Sequence, residues 1–306
     1  MMEDLGEYKI LERLGSSVLG DVYRARDTRV GRTVAITVVS DDLVPTHERR
    51  EHFLRDARTA AAVSHPNILT LYEAGEEGGR VYLINEFIQG EALENVIGGR
   101  PLNPRRALDL ATQLAEALAD AHAGDLIHGA ITAETIVISP KGHAKIVGFG
   151  LARWMAAGMG GAEAGETGGA GAAGTEGVDL RYRADLSAVG RILFEMLTGR
   201  SPAPGAGVPS AFNRSLPREI DSIVGRALGK SGGFETAVTL AAELRALSAI
   251  LDVRNEASAA AAPAIRRARP KRSLGRSIVL AVALGVVAAI IVIGLAMAFG
   301  YRFRSV

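Results

Sequence analysis

From Ser277 to Tyr301 the chain carries no charged residue, and within that stretch Ile278 to Phe299 supplies 22 residues dominated by Ile, Val, Leu and Ala. At about 1.5 Å of rise per residue, such a helix covers the roughly 30 Å of bilayer hydrocarbon. A buried core helix of this composition would need a domain around it, and only Arg302 to Val306 follow. The sequence therefore predicts one transmembrane helix over residues 278–300, with a short tail at 301–306. Arg266, Arg267, Arg269, Lys271, Arg272 and Arg276 precede the span, against Arg302 and Arg304 after it. That bias puts residues 1–276 in the cytoplasm and the single-pass helix in the plasma (inner) membrane. Ala281, Gly285 and Ala289 share one helix face, as do Gly294 and Ala298, which would permit two copies to pair as a homodimer. With so short a tail beyond it, the anchor is expected to set location only.

The rest must fold in water. Hydrophobic residues make up 48% of the 306, enough for a sizeable core. Lys plus Arg number 35 and Asp plus Glu 34, so overall charge gives no reason to expect a nucleic-acid partner. Cysteine is absent, which removes disulfides, thiolate metal sites and cysteine nucleophiles. Met1 to Tyr8 holds acids and no apolar run, unlike a signal peptide.

Periodicity divides the water-exposed part. Residues 8–90 read as strands with one helix: a glycine-containing turn at Gly15 to Gly20, runs at Thr33 to Val39 and Val81 to Ile88, and a helix near His47 to Val63. After Pro104, Leu110, Leu114, Ala117, Leu118 and Ala121 recur at helical spacing, and helices are predicted at Ala188 to Leu197, Arg218 to Leu228 and Thr236 to Leu251. Between Ala156 and Gly177 nine of 22 residues are glycine and seven alanine, which predicts a flexible loop. Residues 252–276 read as a basic, Ala- and Pro-containing linker. The expected fold class is α+β: a bilobal domain over 8–250, with a small β-rich lobe (8–90) and a larger helical lobe (91–250), plus the transmembrane helix.

An ordered series of motifs sharpens this. Leu14-Gly-Ser-Ser-Val-Leu-Gly-Asp-Val22 lies between two predicted strands, followed by Val34-Ala-Ile-Thr37, Phe53-Leu-Arg-Asp56 and Ser64-His-Pro-Asn-Ile68. Then come Tyr82-Leu-Ile-Asn-Glu86-Phe-Ile88, the helical Leu114 to His128, and Asp185-Leu-Ser-Ala-Val-Gly to Ser201-Pro202. The series resembles the bacterial serine/threonine protein kinases of the Hanks type, over residues 8 to about 250.

The resemblance implies a chemistry whose parts are largely missing. The strand lysine that holds the α- and β-phosphates is Thr37, and its helix partner is Asp56, left with no cation to meet. The catalytic loop His-Arg-Asp reads His128-Gly129-Ala130, so the base is a methyl group. The asparagine that would bind magnesium aligns with Thr135, and Asp-Phe-Gly reads Gly148-Phe149-Gly150. No Ala-Pro-Glu stretch precedes Asp185, and an arginine expected before Phe234 is Gly233. A positioned acid or base contributes about 10²- to 10⁴-fold, and metal and lysine supply the charge stabilisation, so their joint loss should abolish turnover.

The structural positions survive. Val22 and Ala35 would sandwich an adenine with Val137 beneath, Glu86 and Ile88 would read its edge, and Gly15 and Gly20 would pass over the phosphates. His128, Phe149 and Asp185 hold packing positions. The resemblance thus implies no cofactor as the first expectation, with weak, magnesium-free ATP binding as the retained alternative; a closed core is the other outcome. His65, His122 and His143 lack metal-ligand spacing, Trp154 reads as a packing residue, and Thr167 and Thr175 lie where such loops are phosphorylated. The leading expectation is a membrane-anchored pseudokinase, an interaction or regulatory module whose partner is a protein such as an active kinase. The alternative is an active kinase with displaced residues, for which Arg24 and Lys145 lie nearby without a replacement magnesium carboxylate. A degenerating gene copy is the third reading.

Overall fold

Strand alternation builds the small lobe. Tyr8–Ser17 (β1), Gly20–Asp27 (β2), Thr33–Val39 (β3), Leu71–Glu77 (β4) and Arg80–Glu86 (β5) form an antiparallel sheet in the order β1-β2-β3-β5-β4. The computed structural model describes the backbone of residues 4–158, 175–203, 205, 207–229 and 232–261. Residues Met1–Asn255 form one unit and Glu256–Val306 another. Among the described residues no helix is long and apolar enough to cross a membrane. The expected span at Ile278 to Phe299 and residues 262–276 of the linker lie outside them.

Register decides which side chains meet. Val22 opposes Thr37, Thr37 opposes Leu83 and Ala35 opposes Asn85, which puts these five residues on one face of the sheet. The other face buries Ala25, Val34, Ile36 and Ile84 with Tyr8. The helix His47–Ala60 (α1) starts at Thr46, whose hydroxyl caps Arg49 N–H at 3.2 Å, and it buries Phe53, Leu54, Ala57 and Ala60 at helical spacing.

Glu91–Ala92 (β6), Leu93–Ile97 (α2) and Pro104–Ala123 (α3) begin the large lobe. Asn103 caps α3 by accepting Arg105 N–H at 3.0 Å, and Pro104 suits the first turn. Ile136–Ile138 (β7) and Ala144–Ile146 (β8) complete a small sheet with β6. The helices Ala152–Gly158 (α4), Thr175–Thr198 (α5), Pro209–Phe212 (α6), Arg218–Ala227 (α7) and Ala237–Ala261 (α8) follow. The core joins Leu110, Leu114 and Leu118 of α3 to Leu193 and Leu197 of α5 and to Ile220 and Val224 of α7.

Several boundaries differ from expectation. The Gly15 to Gly20 turn is shorter: β1 runs to Ser17, because Arg13 bonds Ser16 Oγ and Asp21 Oδ1, both at 2.7 Å, and holds the strands paired. The α1 helix ends at Ala60, where the amides of Ala61, Ala62 and Val63 turn back onto Ala57, Thr59 and Ala60. The strand expected to reach Ile88 ends at Glu86. The glycine-rich stretch is helical at both ends, Ala156 to Gly158 within α4 and Thr175 to Gly177 within α5; its middle lies outside the described residues. Residues 252–261, expected in the linker, continue α8 because alanine is the strongest helix former.

Gly190 of α5 lies against α7: a Cβ there would lie 2.6 Å from the Ala227 Cβ. Gly190→Ala should therefore lower stability, since overpacking costs about 1–3 kcal/mol against about 1 kcal/mol of helix propensity gained. Thermal unfolding of the variant beside wild type measures this; a raised midpoint would contradict the packing.

Candidate functional site

The sheet face bearing Val22, Ala35, Thr37, Leu83 and Asn85 walls a cavity of about 190 Å³. Ala60 closes it from α1, Leu69 and Leu71 from β4 and its approach, and Ser17 to Leu19 from the hairpin. Val147 to Phe149, Leu151 and Met155 form the opposite wall. Every residue lining it is uncharged. Ligand pockets usually occupy about 300–1,000 Å³, so the space is small.

The α4 helix makes it so. Leu151 accepts the N–H groups of Trp154 and Met155, both at 3.0 Å, and Met155 turns onto the Gly148 backbone. Gly148 sits at φ +90°, where a Cβ would lie 2.6 Å from Met155 Sδ. The sulfur thus occupies the space into which a carboxylate at 148 would start. Thr37, buried, lines the same cavity without a positive charge.

Asp56 was expected to have no cation to meet. It has one: Arg153 of α4 pairs with it at 2.6 Å, and Trp154 Nε1–H donates to the same Oδ2 at 2.8 Å. Trp154 is itself buried, edge-on to Phe53 at 5.2 Å. The aspartate therefore joins α1 to α4 rather than to the sheet. Sequence reasoning missed α4 altogether; the signal was Leu151, Trp154 and Met155 at helical spacing beside Gly150.

The catalytic-loop region keeps its scaffold. Asp185, 1% exposed, accepts the N–H groups of His128 (2.9 Å) and Gly129 (2.7 Å) and contacts His122 Nε2 at 3.1 Å. His128 Nδ1 accepts Ala130 N–H at 3.2 Å, leaving Nε2–H to donate to Val147 O at 2.9 Å. Its ring meets Phe149 edge-on at 4.9 Å. Burial pushes the His128 imidazole below its ordinary value, partly opposed by the Val147 hydrogen bond and Asp185. Thr135 closes a turn, its hydroxyl accepting Thr132 N–H at 2.9 Å and donating to Thr132 O at 3.0 Å. Ala130 contributes a backbone amide and no functional group.

Of the positions read as nucleotide contacts, Val22 and Ala35 line the cavity, whereas Gly15, Gly20, Glu86, Ile88 and Val137 lie outside its lining. Val137 packs instead beside Gly90. In the loop pattern G-x-G-x-x-G the middle glycine is Ser17, whose hydroxyl donates to Gly20 O at 3.1 Å. Arg24 pairs with Glu12 at 2.9 Å, and Lys145 pairs with Glu86 and donates to Ile68 O at 3.3 Å; neither reaches the cavity wall. Among the described residues no group of three or more His, Asp or Glu side chains offers a metal site.

The family model described as "Protein kinase domain" matches residues 8–226. The chain belongs to the protein kinase family. Its relatives are bacterial serine/threonine kinases. It is 30% identical over 260 residues to the serine/threonine-protein kinase PrkC of Bacillus subtilis, covering 78% of this chain and 40% of that protein. It is 32% identical over 275 residues to the serine/threonine-protein kinase pkn2 of Myxococcus xanthus, covering 80% and 33%. For PknB of Mycobacterium tuberculosis the match is 30% over 263 residues, 78% of this chain and 42% of the relative. The kinase domain thus corresponds to less than half the length of these relatives. Crystal structures of the Mycobacterium tuberculosis PknI kinase domain superpose with a TM-score of 0.63 at 23% identity, over 79% of this chain and 96% of theirs, which shows the bilobal fold.

Magnesium-ATP does not fit the residues present. The cavity offers no cation for the phosphates, and the Met155 sulfur fills the space beside Gly148 where a metal-binding carboxylate would begin.

If Asp56 joins α1 to α4 chiefly through the buried indole, Asp56→Ala should cost about 1–3 kcal/mol by leaving the Trp154 N–H unpaired, whereas Arg153→Ala, losing a partly exposed ion pair, should cost under about 1 kcal/mol. Urea unfolding of both variants gives the ranking; equal losses would shift the weight to the ion pair. The depressed His128 value has its own signature. Below its ordinary value of about 6.5 the unfolded chain takes up a proton that the folded chain refuses, so this contribution holds above that pH and is lost as pH falls. The decline in unfolding midpoint between pH 7 and pH 5 should be shallower in His128→Gln; an unchanged slope would show that other groups carry it.

Proposed function

We propose that this kinase domain is a pseudokinase: a module that binds and regulates a protein partner, such as an active kinase, without transferring phosphate. The observation that carries the reading is the uncharged cavity with Met155 packed onto Gly148. Thr37 brings no phosphate counter-charge, Ala130 no base and Thr135 only a turn hydroxyl engaged with Thr132. Each lost charge-assisted phosphate contact forfeits about 1.5–3 kcal/mol, so ATP binding is weak or absent and needs no magnesium. The span at Ile278 to Phe299 anchors the module in the plasma membrane with the kinase domain on the cytoplasmic side, and pairing of spans supports a homodimer.

The full chain in detergent micelles, given radiolabelled ATP with magnesium or manganese, should label neither itself nor a generic basic protein above background. Labelling that disappears in the pocket variant Ala35→Trp would overturn the reading in favour of an active serine/threonine kinase with displaced residues.

A further inference from the structure

A surface helix normally turns charge outward, yet α8 keeps an apolar outer face. Leu247 and Leu251 bury its inner side. Opposite them Ala246, Ala249, Ile250 and Val253 are exposed, the last two at 54% and 67%. Basic side chains border this end of the helix. Arg105, at the start of α3, reaches Asp252 at 3.1 Å while its own side chain stays 66% exposed. Beside it Arg106 lies against the β7–β8 turn, where a Cβ at Gly142 would be 3.4 Å from its Nη1, and Lys141 precedes that glycine. Arg254 completes the border: at about 100° per residue, Asp252 and Arg254 fall on opposite flanks of Val253. Of the nearby carboxylates, Asp252 is held by Arg105, and Asp109 accepts Gln113 Nε2–H at 3.0 Å, so the border is positive on balance.

We propose that this face, Ile250 and Val253 within their basic border, docks onto the anionic surface of a lipid bilayer. The inference rests on the reading that Ile278 to Phe299 spans a membrane. The patch ends at Arg254 and the span begins at Ile278, so even a fully extended connection keeps the patch within about 80 Å of the headgroups. Tethering raises the local concentration of the surface, and a weak contact then suffices. The chemistry matches: exposed aliphatic side chains enter the acyl boundary while arginine and lysine heads stay among the phosphates. A second copy fits worse, because a two-fold contact through the same face would bring two positive borders together. Docking turns a tethered domain into an oriented one, with one face given to lipid and the others left to a protein partner.

The chain has no cysteine, so Val253→Cys creates a single labelling site. Val30→Cys, on the turn between β2 and β3 and 60% exposed in the native chain, is the matched control. The full chain carrying a bimane at one of these sites is reconstituted in nanodiscs of phosphatidylcholine, alone or mixed with phosphatidylglycerol, with a headgroup-proximal doxyl lipid as quencher. Quenching at Val253→Cys should be about twofold or more greater in the anionic discs, and high salt should remove the difference. Lys141→Glu combined with Arg254→Glu should remove it as well; each single change should reduce it, and decides the matter if the double variant fails to fold. The label at Val30→Cys should not respond. Equal quenching in both lipids, an equal response at Val30→Cys, or no loss in the charge variants would overturn the proposal. So would disulfide-linked pairs of unlabelled Val253→Cys without lipid-dependent quenching of the labelled form, which would assign the face to a second copy. Alkaline carbonate washing separates the two readings. A chain that stays with the membrane yet shows no lipid-dependent quenching sinks this inference alone. A released chain sinks the anchor, and its co-sedimentation with phosphatidylglycerol vesicles, or failure to co-sediment, then decides the docking.

Discussion

A buried carboxylate organises the large lobe. Asp185 projects from α5 and holds the backbone amides of His128 and Gly129 together with the His122 ring, so it fixes the loop that precedes β7. His128 passes the constraint on, through its own hydrogen bond to Val147 and its edge contact with Phe149. A charge this deep is tolerated only when its acceptor capacity is met by donors, and here backbone N–H groups supply most of them. The aspartate therefore has a scaffold role that does not depend on the side chain at position 130. Scaffold and reaction are separable because they use different residues.

The small lobe is joined to this frame differently. In place of an ion pair reaching from α1 into the sheet, Asp56 turns to Trp154 and Arg153 on α4. Phe53 and Trp154 pack edge to face, and Met155 completes the wall over Gly148. Thr37 leaves the sheet with nothing to attract Asp56, while the indole N–H gives it a partner inside the core. The result is an apolar seam from α1 through α4 to the Gly148 turn, with charge confined to its edge.

Much of this was legible in the sequence because packing repeats. The alternation of Thr33–Val39 and the helical spacing from Leu110 to Ala121 report which faces are buried, and the order of glycine and aromatic landmarks does the rest. Thr37, Ala130, Thr135 and Gly148 were readable as departures from the family's motif residues, since an exchanged side chain is visible without coordinates. The replacement contacts were not. Asp56 and Arg153 are far apart in sequence with no periodic relation, and the orientation of Met155 depends on α4, a helix too short to announce itself amid alanine and glycine. Ser17 was visible as a departure from the loop pattern, but its bond to Gly20 is a matter of local geometry.

Gly148 and Met155 share one space in the cavity wall. Here the glycine and the thioether fit one another: a side chain at 148 meets sulfur at 2.6 Å, in a backbone conformation that residues with a Cβ seldom adopt. An aspartate could enter only if the Met155 thioether swung aside, and that sulfur is the far end of a flexible side chain on the helix whose neighbouring tryptophan bonds Asp56. Gly148 thus belongs to the packing against α4, and a carboxylate there would displace Met155 from the cavity wall.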